Sequence, residues 1–211
     1  MPGKHVRFAD SVIDTPSPSW SDASLPSTVG PITPPSNPFP LPSLHGSIVR
    51  IHNLLGASFA EPQLVYDVSL PAQTALPRDP TVSSWVLSQP ATEPVLPFIE
   101  IISPRLPWRL AIYPAQRGSP VVTVGDVLAG IYAHLRTPVS AAEYALVGQE
   151  DVQRRIGDAF RRRCKRQPSA EAVARETGKG LKRVDFLEGV NVFGGLSTTK
   201  EGGHVWQMNT S

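Results

Sequence analysis

The chain has a single cysteine, Cys164, among its 211 residues. One thiol cannot form an intramolecular disulfide, so a small secreted fold held together by bridges is excluded. No stretch approaches the roughly 20 apolar residues that a bilayer crossing requires, and residues 1–16 lack the apolar segment of a signal peptide. These shortages predict a cytoplasmic or nuclear protein that does not enter a membrane.

Motifs for catalysis and for metal binding are also missing. None of the five histidines lies at a recognised spacing from another ligand type, and there is no nucleophile elbow, phosphate loop or dinucleotide fingerprint. We therefore expect no metal, no cofactor and no catalytic residue. The sequence favours a non-enzymatic protein. A hydrolase or transferase whose polar residues converge only in the folded chain stays open.

Proline, by contrast, is abundant, and ten of the 23 prolines lie in residues 1–42. This segment is rich in Ser and Thr and poor in aliphatic residues, so it cannot bury enough apolar surface to offset the entropy of ordering. The sequence predicts a disordered arm over residues 1–43 and one domain over 44–211. Thr15-Pro16, Ser17-Pro18 and Thr33-Pro34 are potential sites for a proline-directed kinase, although composition alone explains them equally well.

The arm contains a short docking pattern. Lys4, Val6 and Phe8 match the basic-x-Val-x-Phe peptides that bind type-one protein phosphatases. In an extended strand, Val6 and Phe8 point the same way and can enter two apolar pockets of a partner. The alternative is a terminal segment that folds back on its own domain or stays loose.

Residues 123–138 carry the strongest helix pattern. Six apolar residues fall on one helical stripe: Val124, Val127, Leu128, Ile131, Tyr132 and Leu135. Thr123 is a suitable N-cap, and Pro138 ends the helix. His134 lies at the margin of the stripe, so we expect it to be partly buried and hydrogen bonded.

The remaining pattern predicts helices over residues 44–55, 140–147 and 150–167, a partly helical link over 169–177, and strands over 63–70, 98–102, 108–113, 181–187, 192–196 and 204–209. The segment 71–97 is expected to be irregular because it contains six prolines. The order of these elements predicts an α+β fold, in which two long helices and shorter ones pack on an antiparallel sheet.

The helix predicted over residues 150–167 has a basic outer face. Its apolar side holds Val152, Ile156, Ala159, Phe160 and Cys164. The outer face carries Arg154, Arg155, Arg161, Arg162, Lys165 and Arg166. Three interpretations stay open: a solvated face or an Arg/Lys run read by nuclear import, a surface for a protein partner with acidic segments, and a surface for nucleic-acid phosphates.

Arg163 is the exception on this helix, because its position places it beside the apolar residues. A charge there must reach solvent or meet a carboxylate. Asp185, flanked by Val184 and Phe186, is the carboxylate that we predict as its bidentate partner.

Several local sequences also resemble a known family. They are Pro107-Trp108, the run from Thr123 to Leu128, Phe160-Arg-Arg-Arg-Cys, Lys182-Arg-Val-Asp-Phe-Leu and Gly194-Gly-Leu. Together they resemble an uncharacterised domain family found chiefly in mushroom-forming fungi, over roughly residues 44–211. The resemblance implies one domain behind an arm and supplies no function or site residues.

The leading functional hypothesis is a protein-interaction module with a phosphorylatable arm, and the alternative is a nucleic-acid-associated protein that uses residues 150–167.

Overall fold

The computed structural model describes residues 48–58, 61–116 and 118–211. All of them belong to one compact unit, Leu44–Ser211. The docking motif Lys4, Val6 and Phe8 and the three Ser/Thr-Pro sites lie outside the described residues.

Eight strands and four α-helices follow one another in the described part of the chain. They are β1 (Arg50–Ile51), β2 (Leu64–Val65), β3 (Leu76–Pro77), β4 (Thr92–Glu93), β5 (Ile99–Ser103), β6 (Leu106–Ile112), α1 (Val124–Leu135), α2 (Ala141–Ala145), α3 (Glu150–Lys165), α4 (Ala170–Gly178), β7 (Phe193–Thr198) and β8 (Val205–Thr210). Short 3-10 helices form at Ala72–Thr74, Ser84–Ser88 and Arg183–Leu187.

The main sheet has four strands in the order β6-β5-β8-β7. Its two outer pairs are antiparallel and its central pair, β5 with β8, is parallel. The strands predicted over residues 98–102 and 108–113 are present as β5 and β6, which form an antiparallel pair, and the predicted α+β class is confirmed. Two smaller antiparallel sheets pair β1 with β4 and β2 with β3.

Helix α1 packs on the sheet through the predicted stripe. Five of the six stripe residues are buried, and Tyr132 is half-buried. The amide of Asp126 donates to Oγ1 of Thr123 at 3.1 Å, and the Thr123 amide donates back to the Asp126 carboxylate at 2.9 Å, which completes a capping box. Gly130 allows a close approach to β6, because a Cβ there would lie 2.5 Å from Cδ1 of Ile112.

His134 of α1 is half-buried and hydrogen bonded, as predicted. Its ring nitrogen Nε2 lies 2.9 Å from the Ala111 carbonyl oxygen.

The helix predicted over residues 44–55 is wrong for the described residues from 48 onward. Arg50 and Ile51 pair with β4 instead, and the carbonyl of His52 accepts hydrogen bonds from the amides of Leu55 and Gly56 in a turn. Ile48, which the helical stripe would have buried, is 80% exposed. Pairing with a distant strand has overridden the local pattern.

The strand predicted over residues 181–187 is also wrong, because Arg183–Leu187 forms a 3-10 helix. The alternation that suggested a strand does not exist in the fold, since Val184, Asp185, Phe186 and Leu187 are all buried. The strand predicted over residues 63–70 is shortened to β2, although Leu64, Tyr66 and Val68 are buried as its alternation required.

Candidate functional site

Arg163 lies on the inner side of α3 and is only 8% exposed. Its Nε and Nη2 donate to Oδ1 and Oδ2 of Asp185 at 2.8 and 2.9 Å, a bidentate contact. Nη2 also donates to the carbonyl of Gly180 at 3.0 Å. The structure thus brings together, with this geometry, the two residues that the sequence paired.

Two further residues, which the sequence analysis did not assign, complete this group. Nη1 of Arg163 and Nζ of Lys182 both donate to Oε1 of Glu176, a buried residue of α4. The backbone amide of Lys182 donates to Oδ2 of Asp185 at 2.9 Å. We call Arg163, Glu176, Lys182 and Asp185 the buried ion cluster.

The sequence contained a signal for Glu176. It follows Val173 by three residues and Ala172 by four, so on a helix it shares their side. Both of those residues are half-buried in α4. An acidic residue on the inner side of one helix and an arginine on the inner side of the preceding helix are candidates for a buried ion pair.

Two further cations contact the buried ion cluster, so positive charge exceeds negative charge around it. Its two carboxylates, Glu176 and Asp185, are in contact with four cations: Arg136, Arg163, Lys179 and Lys182. Burial alone would raise the pKa of Glu176, but hydrogen bonds from Lys182 and Lys179 and the charges of Lys182 and Arg136 lower it to about 2. The pKa of Lys182 is itself lowered, first by burial and then, against its contact with Glu176, by the charges of Arg136 and Arg163.

A cavity of about 240 Å³ lies beside the cluster and is lined by four arginines. Arg136 follows α1 directly, Arg162 and Arg163 belong to α3, and Arg166 caps its C-terminal end. Among the described residues that line the cavity, Asp185 is the one acid, and it is already bound to Arg163. We call this space the arginine cavity.

Arg162 is held by a backbone carbonyl and forms no ion pair with a described residue. Its Nη2 donates to the backbone carbonyl of Glu188 at 2.9 Å. The next residue, Gly189, has φ +91°, and a Cβ there would lie 2.7 Å from that same Nη2. Glycine therefore leaves the space that the guanidinium occupies. Arg166 is also weakly neutralised, because the nearest carboxylate oxygen, Oδ2 of Asp67, lies 3.9 Å from its Nη1.

The six basic residues predicted on the outer face do not share one environment. Arg155 pairs with Asp151 at 2.7 Å and with Glu188 at 2.6 Å, and Arg161 pairs with Asp158 at 2.5 Å. Arg162 and Arg166 line the arginine cavity. Arg154 and Lys165 are exposed and form no ion pair with any residue in the described part of the chain.

A family model described as a family of unknown function, DUF6699, matches residues 64–203. The chain belongs to this family. The DUF6699 match contains the whole buried ion cluster and all four arginines of the cavity, whereas β1 and β8 lie outside it. Comparisons with curated proteins and with solved structures gave no match.

Within the ranges that the structure describes, no group of three or more His, Cys, Asp or Glu residues is arranged to hold a metal ion, and no helix is long and apolar enough to cross a membrane. Cys164 is buried in α3 as a free thiol. The candidate site described above is cationic.

Proposed function

We propose that this chain is a non-enzymatic protein-interaction module that binds acidic segments of a partner protein through α3. The observation that supports this proposal is the positive charge left on the helix after its internal pairing. Arg155 and Arg161 have carboxylates at hydrogen-bonding distance. Arg154, Arg162, Lys165 and Arg166 have none among the described residues, and all four are exposed. An anionic partner would complement them.

The surface of α3 favours a protein over a nucleic acid. Proteins that bind single strands usually stack bases on aromatic side chains. The aromatic residue of α3, Phe160, is half-buried, and its ring centroid lies 5.3 Å from Cζ of Arg163. No other aromatic residue occurs in α3. The net charge of +2 also gives little long-range attraction for a polyanion.

Nucleic-acid binding through residues 150–167 is the second candidate, because the same exposed cations can contact phosphates. The two candidates separate in a binding assay at low salt. We would measure fluorescence anisotropy with a peptide of alternating Glu and Gly, a thymidine oligonucleotide and a DNA duplex. The proposal expects the acidic peptide to bind and the oligonucleotides to bind more weakly.

Charge reversal on α3 provides the matched test. Arg154→Glu with Lys165→Glu is expected to weaken peptide binding by roughly tenfold or more, since two attractive charges become repulsive. Arg50→Glu, an exposed arginine in β1, is the control and should leave binding unchanged. Failure of the wild-type protein to bind the acidic peptide at low salt would overturn the proposal.

The arm of residues 1–43 is the second part of this proposal, as a phosphorylatable segment whose Lys4, Val6 and Phe8 dock on a type-one phosphatase in the cytoplasm or nucleus. A pull-down with the phosphatase catalytic subunit tests it. Binding by the wild-type chain and loss of binding in Val6→Ala/Phe8→Ala would support the docking. Equal capture of both proteins, or capture of neither, would refute it.

A further inference from the structure

We propose that the arginine cavity binds the phosphate of a phosphorylated serine or threonine on the partner protein. This inference rests on the proposed function and specifies the chemistry of the bound segment. It assigns α3 two roles in binding, with Arg154 and Lys165 on the open surface and Arg162 and Arg166 at the cavity.

The charge of the cavity matches such a group. Four arginines and one carboxylate line it, and the adjoining Glu176 contacts two of these arginines, Arg136 and Arg163, together with Lys179 and Lys182. A phosphate monoester carries about −1.5 to −2 charges at pH 7, whereas a carboxylate or a nucleic-acid diester carries one. The monoester therefore offsets more of the excess positive charge than either alternative.

The donors are also suited to phosphate. A guanidinium group presents planar N–H donors that bind phosphate oxygens in pairs. The backbone carbonyl of Glu188 fixes Arg162, which forms no ion pair with a residue in the described part of the chain. Arg166 lies beyond hydrogen-bonding distance of its nearest carboxylate, on Asp67. Both side chains are thus placed at the cavity with their charge available.

The size of the cavity selects a small group. Pockets for drug-sized ligands have volumes of roughly 300–1,000 Å³. The arginine cavity, at about 240 Å³, is smaller. It suits one phosphate on a short side chain, and a nucleic-acid strand would have to present a terminal phosphate to use it.

The test compares matched peptides on the full chain. The probes are a Gly-rich peptide with one phosphoserine, the same peptide with serine, the same peptide with glutamate, inorganic phosphate, and a thymidine oligonucleotide without a terminal phosphate. Binding is measured by calorimetry. Arg162→Gln and Arg166→Gln are the cavity variants, and Arg161→Gln on the same helix and Arg50→Gln in β1 are controls that do not line the cavity.

We expect the phosphoserine peptide to bind at least roughly tenfold more tightly than the serine and glutamate peptides, and each cavity variant to lose about tenfold, which corresponds to one charge-assisted hydrogen bond. The control variants should keep wild-type affinity for the phosphoserine peptide. Chemical shifts of the Arg162 and Arg166 Nε–H groups should change on addition of that peptide.

Other outcomes overturn the inference in separate ways. Equal binding of the phosphoserine and glutamate peptides, with equal losses in cavity and control variants, would leave the acidic-partner proposal standing and refute the phosphate site. Binding of inorganic phosphate without preference for the phosphopeptide would indicate an adventitious ion only. Stronger binding of the oligonucleotide, lost in the cavity variants, would assign the cavity to nucleic acid. No binding of the phosphoserine peptide would refute the phosphate site, whereas the acidic-partner proposal is decided by the peptide of alternating Glu and Gly.

Discussion

Arg162 and Arg163 are neighbours in α3, but the fold gives them opposite surroundings. Arg163 is buried and donates to two carboxylates and a backbone carbonyl. Arg162 is exposed and donates to the carbonyl of Glu188. One helical step of about 100° separates the two environments. The position around the helix, and not the residue type, therefore decides whether an arginine is buried in an ion pair or stays exposed.

The two environments also differ in energy. Removing one partner of a buried ion pair leaves an uncompensated charge in a poorly hydrated site, which is strongly destabilising. An exposed ion pair contributes little, because water and salt screen it. The inner side of α3 should therefore control stability, and its outer side should control binding.

The largest expected effect follows from Arg163→Ala. Asp185 would lose its ion-pair partner while staying buried, so we expect the free energy of unfolding to fall by about 3 kcal/mol and the melting temperature by about 10 °C. Thermal and urea unfolding measure the change. Arg162→Ala is the comparison and should cost less than about 1 kcal/mol. Equal small losses in the two variants would erase the distinction between the two sides.

The second expected effect is a loss of folding stability at low pH. Burial alone would raise the pKa of Glu176 above its ordinary value of 4.5. Contacts with Lys182 and Lys179 together outweigh burial and lower the pKa to about 2. Because the folded-state pKa is the lower one, the ionised group stabilises the fold above pH 4.5, and this contribution disappears as the pH falls towards 2. Its size is on the order of 3 kcal/mol.

Urea unfolding from pH 6 to pH 2.5 tests this dependence. Glu176→Gln should be less stable at pH 6 and should lose less stability than the wild-type chain as the pH falls. Glu171→Gln, an exposed residue of the same helix, should follow the wild-type slope. A Glu176→Gln curve as steep as that of the wild type would contradict the assignment.

The smallest effect is expected on the outer side. Asp151→Asn removes an exposed carboxylate from Arg155, which keeps its contact with Glu188. The unfolding midpoint should change little at low salt, and the small change should vanish at high salt because exposed charges are screened. Unfolding at two salt concentrations measures it. A large loss that persists at high salt would show that the outer side also holds the fold together.

The sequence could predict the Arg163–Asp185 pair because the apolar residues of α3 show which side of that helix faces the core. The sequence patterns did not indicate that Glu176 and Lys182 belong to the buried ion cluster, because their positions depend on how α4 and the following segment pack against α3. The patterns also assigned residues 181–187 to a strand, since alternation of Val184 and Phe186 with polar residues imitates one. In the fold, Arg183–Leu187 is a 3-10 helix packed on several sides, and every residue from Val184 to Leu187 is buried.

The arginine cavity could not be predicted from the sequence at all. Arg136, Arg162 and Arg166 come from two helices, and their convergence depends on the packing of α1, α3 and the segment around Gly189. The periodicity of one helix places a side chain on one of its sides. It does not show which other element faces that side, so Arg162 and Arg166 were grouped with the open basic surface.

The division between the two sides of α3 is tested most directly by a double-mutant cycle of Arg163→Ala and Asp185→Ala, measured by urea unfolding. The account predicts a coupling energy of about 2 kcal/mol or more, because each single variant leaves the other charge buried and the double variant removes both. A coupling energy near zero would contradict it, since the pair would then be worth no more than an exposed one.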